Sequence, residues 1–116
     1  MRAVIFGLLL SFSLPAFAWS DDDQARENTI MVLSLVDMSQ TLYIVKHPEY
    51  YESNPVLGNH PKKHEVYRYF LTTMVGHQFV ARILPEEYRK PFQYISIGFE
   101  GTLIARNLRL GIGFSF

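Results

Sequence analysis

The chain has no cysteine. That excludes a disulfide framework, a thiolate metal site, a cysteine nucleophile and the lipid-modified cysteine of a bacterial lipoprotein. It also has no excess of charge, with eleven Lys and Arg against eleven Asp and Glu. A balanced chain lacks the basic surplus that drives contact with a phosphate backbone, so no nucleic-acid partner is expected. Catalytic signatures are missing too: there is no Gly-x-Ser-x-Gly, no phosphate loop and no His-Glu-x-x-His. A Ser-His-Asp set could be drawn from Ser34, His77 and Asp37, but nothing marks the serine as activated. No catalytic residue and no cofactor are expected, and there is no internal repeat.

What is present begins with an export signal. Arg2 supplies a positive start, Ala3 to Leu14 is apolar apart from Gly7, Ser11 and Ser13, and Pro15 breaks the run before Ala16-Phe17-Ala18. That small-x-small pattern is what a signal peptidase reads, and the apolar run is short for a retained span. Cleavage after Ala18 is therefore expected, with residues 19–116 left as one small helical envelope domain. Without Arg2 the formal charge becomes −1.

Trp19 to Glu27 is polar and acidic, a solvated lead-in whose Asp23 could cap the next helix. Asn28 to Lys46 is apolar on nearly all sides. Its only polar stripe is Ser34, Asp37, Gln40 and Thr41, at helical steps of three and four. Such a helix is either deeply buried or in lipid, and a chain this short has little interior to bury one. His47 to Lys63 is rich in turn residues. A second helix is expected near 65–84, closed by Pro85, and a third near 91–106 with Pro91 at its first position. On the third, Gln93, Ser96, Glu100 and Asn107 share one side, and Gly98 and Thr102 form a small-xxx-small pair. The tail changes period: Leu108, Leu110, Ile112, Phe114 and Phe116 alternate with polar residues or glycine, as a strand does.

The fold class expected is thus mainly α, three apolar helices with a short strand-like tail, associated with a membrane. If the acidic lead-in lies outside the inner membrane, Lys46, Lys62, Lys63, Arg106 and Arg109 fall inside. Only Arg26, Arg89 and Lys90 then lie outside, the sign that the positive-inside rule requires. Trp19, Tyr50, Tyr51, Tyr67 and Tyr69 fall near helix ends, where interfacial aromatics belong. Two alternatives stand beside it. One is a periplasmic helical domain, consistent with a mean hydropathy close to zero. The other is an outer-membrane protein whose residues 92–104 and 108–116 form a hairpin, although a closed barrel needs more strands than this chain has.

Each apolar segment carries one ionisable residue near its middle: Asp37, His77 and Glu100. In lipid these should face one another, with Gln40 beside them, as a polar centre that sets helix register or handles a proton or a metal. A second cluster lies in the loop, where His60, His64 and Glu52, flanked by His47 and Glu49, are candidate metal ligands. Pro61 and Lys62 between the histidines make a poor zinc face.

The stretches Asp37-Met38-Ser39-Gln40-Thr41, Glu52-Ser53-Asn54-Pro55-Val56-Leu57-Gly58-Asn59-His60-Pro61 and Ala105-Arg106-Asn107 resemble an uncharacterised family of small envelope proteins from proteobacteria and their phages. The Asn-Pro-x-Leu-Gly-x-His-Pro run (Asn54, Pro55, Gly58, His60, Pro61) is the most specific part. The resemblance implies a small, hydrophobic, helix-rich protein with no assigned activity. Membrane lipid, a larger envelope partner or further copies of the chain are the expected contacts.

Overall fold

A computed structural model describes residues 18–116, so the export signal expected over residues 1–18 lies, but for Ala18, outside the described residues. Three helices follow one another: α1 (Asp21–Lys46), α2 (Lys63–Ile83) and α3 (Glu86–Arg109). The chain is mainly helical, and there is no strand among the described residues.

α1 starts seven residues earlier than the apolar pattern suggests. Ser20 is the cap, its Oγ accepting from Asp23 N at 3.0 Å, while Asp23 Oδ2 accepts from Ser20 N at 2.9 Å. That reciprocal box, with Asp21, Asp22 and Asp23 at the positive end of the helix, makes the acidic lead-in a first helical turn. Asp23 is therefore the third helical residue and not the cap. α2 matches its expected extent. Glu65 Oε1 accepts from Lys62 N at 3.0 Å at its start, and Leu84-Pro85 turns the chain directly into α3.

α3 begins at Glu86, which places Pro91 inside the helix. The ring removes only a bond to the Glu87 carbonyl, in an exposed first turn that water can satisfy. The helix runs on to Arg109 and ends where Gly111 adopts φ +88° and Ile112 N donates to Asn107 O at 3.0 Å. The expected tail strand is absent, as is the alternative hairpin, because 92–104 and 108–109 are helical. A strand needs an unpaired edge, and the tail instead meets a helix. Ile112 is buried, Gly113 lies against the Tyr43 ring, and Ser115 N donates to Ser39 O and Oγ at 3.1 and 2.9 Å. The alternation of the tail is therefore not a burial pattern: Leu108, Leu110, Phe114 and Phe116 are exposed, and Ile112, Gly113 and Ser115 make the contacts.

The helices run up, down and up. Asp23 meets Arg89 near the starts of α1 and α3, and Gln40 meets Asn107 near their ends, so these two are parallel. α1 packs on both partners, most extensively on α3, whereas α2 and α3 barely touch. One apolar cluster, Met38, Leu42, Val66 and Phe70 with Leu57 of the loop against it, fills the space between α1 and α2 near the loop end.

The rest of the interior is polar. The buried face of α1 reads Asp23, Glu27, Ile30, Ser34, Asp37, Thr41 and Ile44, at alternating steps of four and three. This is the seam that would carry apolar residues in a water-soluble bundle. Part of the apolar surface turns outward: Val32 and Leu35 on α1 are 59% and 42% exposed, and Ile95 and Phe99 on α3 are 72% and 63% exposed, whereas Ile30, Met38, Leu42 and Ile44 of α1 are buried. Among the described residues ten polar side chains are buried against nine apolar ones, Pro61 included. The helices are therefore aligned by polar pairing more than by apolar packing.

Candidate functional site

The polar seam falls into two halves separated by Ile30 and Ser34. The first is built on Arg89, which has no exposed surface. Its Nε donates to Ala81 O at 2.8 Å and Nη2 to Leu84 O at 2.9 Å, satisfying carbonyls at the end of α2. Nη1 donates to Asp23 Oδ2 at 2.9 Å and to Ala18 O at 3.0 Å. One guanidinium thereby ties the start of α1, the end of α2 and the start of α3. Arg26 pairs with the other Asp23 oxygen and donates from Nε to Gln93 Oε1 at 2.7 Å. The Trp19 ring lies against both the Arg82 and Arg89 guanidiniums, at 4.2 and 5.0 Å. Burial works to raise the Asp23 pKa, but the Ser20 hydrogen bonds and the Arg89 guanidinium outweigh it and hold the carboxyl below its ordinary range.

Gln93 carries the network upward. Its Nε2 donates to Asp23 O at 3.1 Å and to Glu27 Oε1 at 3.0 Å. The second Glu27 oxygen lies 2.8 Å from His77 Nδ1, and His77 Nε2 lies 2.8 Å from Ser96 Oγ. Ser96 gives its own hydrogen to Phe92 O, so both ring nitrogens face acceptors, and the ring stacks on Phe92 at 4.4 Å. All three helices meet at this histidine.

The second half holds Asp37 and Glu100. The carboxyl that Asp37 meets is that of Glu100, and Glu100 Oε2 is sealed from solvent with no hydrogen-bond partner. Gln40 bridges back to α3, donating to Ile104 O at 3.3 Å and accepting from Asn107 Nδ2 at 3.0 Å. Beside the acid pair is a cavity of about 270 Å³, walled by Phe70 and Phe99 and closed by the loop through Glu52, Asn54 and Leu57.

The sequence-expected centre is thus only partly assembled. Asp37 and Glu100 do come together, and Gln40 lies on the same seam. His77 does not join them; it is claimed by Glu27 and Ser96, because the antiparallel course of α2 sets its turn opposite the earlier part of the seam. For the same reason Ser34, Asp37 and His77 form no triad. The metal cluster is also corrected. Glu52 points at the helices, accepting from Thr41 Oγ1 at 3.1 Å and Asn54 N at 3.0 Å, while His60 and His64 are exposed. No group of three His, Asp or Glu able to hold a metal exists among the described residues.

The loop motif is a compact cover. Asn54 Oδ1 accepts from Val56 N at 2.9 Å, Asn54 O accepts from Gly58 N at 3.0 Å, and Asn59 O accepts from Glu52 N at 2.8 Å. Gly58 sits at φ +79°, which an L side chain rarely adopts, and Pro61 is buried. Gly98 and Thr102, the expected small-residue pair, lie on the exposed face of α3, and a Cβ at Gly98 would meet open space.

Glu27, Arg89 and Gln93 carry as much of the seam as Asp37 and Glu100. The signal for them was spacing: Arg89, Gln93, Ser96, Glu100, Leu103 and Asn107 fall at alternating steps of four and three. No family model matches the chain, and neither a curated protein nor a solved structure matches it.

Proposed function

We propose that this is an exported envelope protein whose three helices sit in the inner membrane with their polar seam turned inward. Its role is non-enzymatic: a small bundle that contacts a larger envelope partner. One observation carries the reading. Around the outside of all three helices runs a belt without an exposed charge, from Arg26 to Lys46 on α1, Arg68 to Arg82 on α2 and Lys90 to Arg106 on α3. Glu27 and Asp37 are buried, and His77 and Glu100 face the seam.

At 1.5 Å per residue the belt is about 29 Å tall on α1 and about 20 and 23 Å on the others. Arginines snorkelling from α2 and α3 extend the shorter faces toward a hydrocarbon core of about 30 Å. By length and composition α1 is the one helix among the described residues that could cross a membrane unaided. α2 and α3 would enter with it, their ionisable groups compensated by the seam. Trp19, Tyr50, Tyr51 and Tyr88 lie at the two rims. The end that holds Lys46, Lys62, Lys63, Arg68, Arg106 and Arg109 is assigned to the cytoplasm, and the end that holds Asp21, Asp22, Glu86 and Glu87 to the periplasm.

Fractionation tests this directly. The protein is expected to stay with the inner membrane through alkaline extraction, with a mature mass that begins at Trp19. Because the chain lacks cysteine, Asp22→Cys and Lys63→Cys give single thiols at opposite ends. An impermeant maleimide added to spheroplasts should label the first only. Release into the soluble periplasmic fraction as a monomer, or equal labelling of both thiols, overturns the assignment.

A further inference from the structure

We infer that the cavity beside Asp37 and Glu100 is a binding site for a guanidinium group. Asp37 is only 8% exposed, and its carboxyl hydrogen-bonds to that of Glu100 and meets no cation among the described residues. Glu100, across from Asp37 on α3, lines the same cavity. Two adjacent carboxyls that hydrogen-bond to each other share one proton, which leaves one negative charge with no cation beside it among the described residues. Elsewhere on the seam every buried carboxylate has its partner: Asp23 has Arg89 and Arg26, and Glu27 has Gln93 and His77. The unmatched pair lies where the bundle leaves about 270 Å³ open, against about 30 Å³ of liquid for one water.

The lining selects the occupant. A single metal ion would need its ligands gathered around one point, and no group of three acids or histidines is so gathered. The acceptors are spread instead: Asp37 and Glu100 on the helices, with Glu52 on the loop side. A planar cation with five N–H donors can address such a spread set. The other lining residues include Tyr69, Phe70 and Phe99, aromatic side chains on which a guanidinium stacks better than a compact, strongly hydrated ammonium does. The group could be the head of a small free molecule or the arginine side chain of a partner protein; the chemistry recognised is the same. The inference does not rest on the membrane placement, since the cavity lies between the helices and the loop wherever the bundle resides.

The test uses the full processed chain in detergent micelles. Agmatine and the peptide acetyl-Gly-Arg-Gly-amide are titrated by calorimetry and by the Tyr69 ring resonances, with n-butylamine and sodium chloride as comparisons. Saturable binding of a guanidinium probe with a shift of the Tyr69 signals is expected, and butylamine should bind at least about tenfold more weakly. Glu100→Gln or Asp37→Asn should weaken binding by about tenfold or more. Phe99→Leu, at an exposed wall that the fold does not need, should weaken it less. Tighter binding of agmatine identifies a free molecule as the source, and tighter binding of the peptide identifies a partner's arginine. No binding by either probe, equal binding of butylamine, or affinity unchanged in the variants overturns the site. Should the acid variants not fold, the wild-type titrations and Phe99→Leu still decide it.

Discussion

Replacing Arg89 by methionine removes the one side chain that holds three helix ends together while keeping much of its length and apolar bulk. The Arg89–Asp23 pair is sealed, with 0% and 3% of the two side chains exposed, so solvent screening does not discount it. Breaking a buried ion pair by deleting one partner costs about 3–5 kcal/mol. Asp23 keeps Arg26 and its hydrogen bonds to Ser20, which places the electrostatic loss near the lower end of that range. The carbonyls of Ala81 and Leu84 also lose their donor, at about 1 kcal/mol or more for the buried one. A total near 4 kcal/mol is a large fraction of the 5–15 kcal/mol by which domains are ordinarily stable. The assay is reversible unfolding followed by circular dichroism, with Arg89→Met, Asp23→Asn and the double variant measured together. The double variant should lie closer to Asp23→Asn than the sum of the singles, by a coupling of about 1–3 kcal/mol. Arg89→Lys should recover little, because one ammonium cannot address Asp23, Ala81 and Leu84 with the geometry of the guanidinium. A loss below about 1 kcal/mol for Arg89→Met, or a lysine variant as stable as the parent, would refute the view that this guanidinium clamps the bundle.

Asp23 gives a pH signature. Its folded carboxyl is held below the ordinary value of 3.8, so its stabilisation is complete above that value and is lost as pH falls through the lower folded one. Asp23→Asn should flatten the acid limb of a stability–pH curve in that window and leave the neutral region parallel to the parent. His77→Phe keeps the stack on Phe92 but leaves Glu27 Oε2 and Ser96 Oγ without their partner, so it should cost about 2 kcal/mol in the same unfolding assay. Gly111→Ala combines a positive φ with a Cβ 3.0 Å from Tyr50 Oη. It should cost about 1–2 kcal/mol and speed hydrogen exchange at the Ser115 amide, which reports docking of the tail on Ser39.

Three helices were legible from periodicity and prolines, and the ends of α1 and α2 fell within a residue or two of where Pro48 and Pro85 place them. The polar sides of α1 and α3 were legible as well, since Ser34, Asp37, Gln40 and Thr41, and Gln93, Ser96, Glu100 and Asn107, all turn inward or toward the seam. The starts of α1 and α3 were missed for one reason. Asp21 to Asp23 and Glu86 to Lys90 have the composition of solvated linkers, yet acidic residues are also what the positive end of a helix attracts. The Ser20-x-x-Asp23 box was the sign that the acidic run is already helical. Once α3 begins at Glu86, its inward stripe extends back through Gln93 to Arg89, and the partner of Asp23 follows. Which acid His77 meets was not legible. Asp37, Glu27 and Glu100 are all plausible partners by composition, and only the relative height of the helices, set by the two-residue turn at Leu84-Pro85, decides among them.

The direction of the stripes is the harder matter, and it bears on where the molecule resides. In water, helices associate by burying apolar faces, and polar groups on the seam are tolerated exceptions. In lipid the surroundings are as apolar as leucine, so apolar contact selects no neighbour and small or polar residues must set the register. α1 has the second arrangement: Asp23, Glu27, Ser34, Asp37 and Thr41 on the inward face, Val32 and Leu35 on the outward one. Rotating α1 by half a turn would bury Val32 and Leu35 and expose the acids, but it would also expose Ile30, Met38, Leu42 and Ile44. It would also break Asp23–Arg89, Glu27–Gln93, Glu27–His77 and Gln40–Asn107 together. Lipid favours Val32 and Leu35 outward more than water does, so the hold of these polar pairs is expected to be stronger in a bilayer. Contact between Gln93 and Glu27, read as a cross-link or a nuclear Overhauser effect in bilayers, should weaken when the chain is moved into water without lipid or detergent. Persistence of that contact in a monodisperse, lipid-free monomer would mean that the polar pairs hold α1 without help from its surroundings, and the exposed apolar belt would then need another explanation.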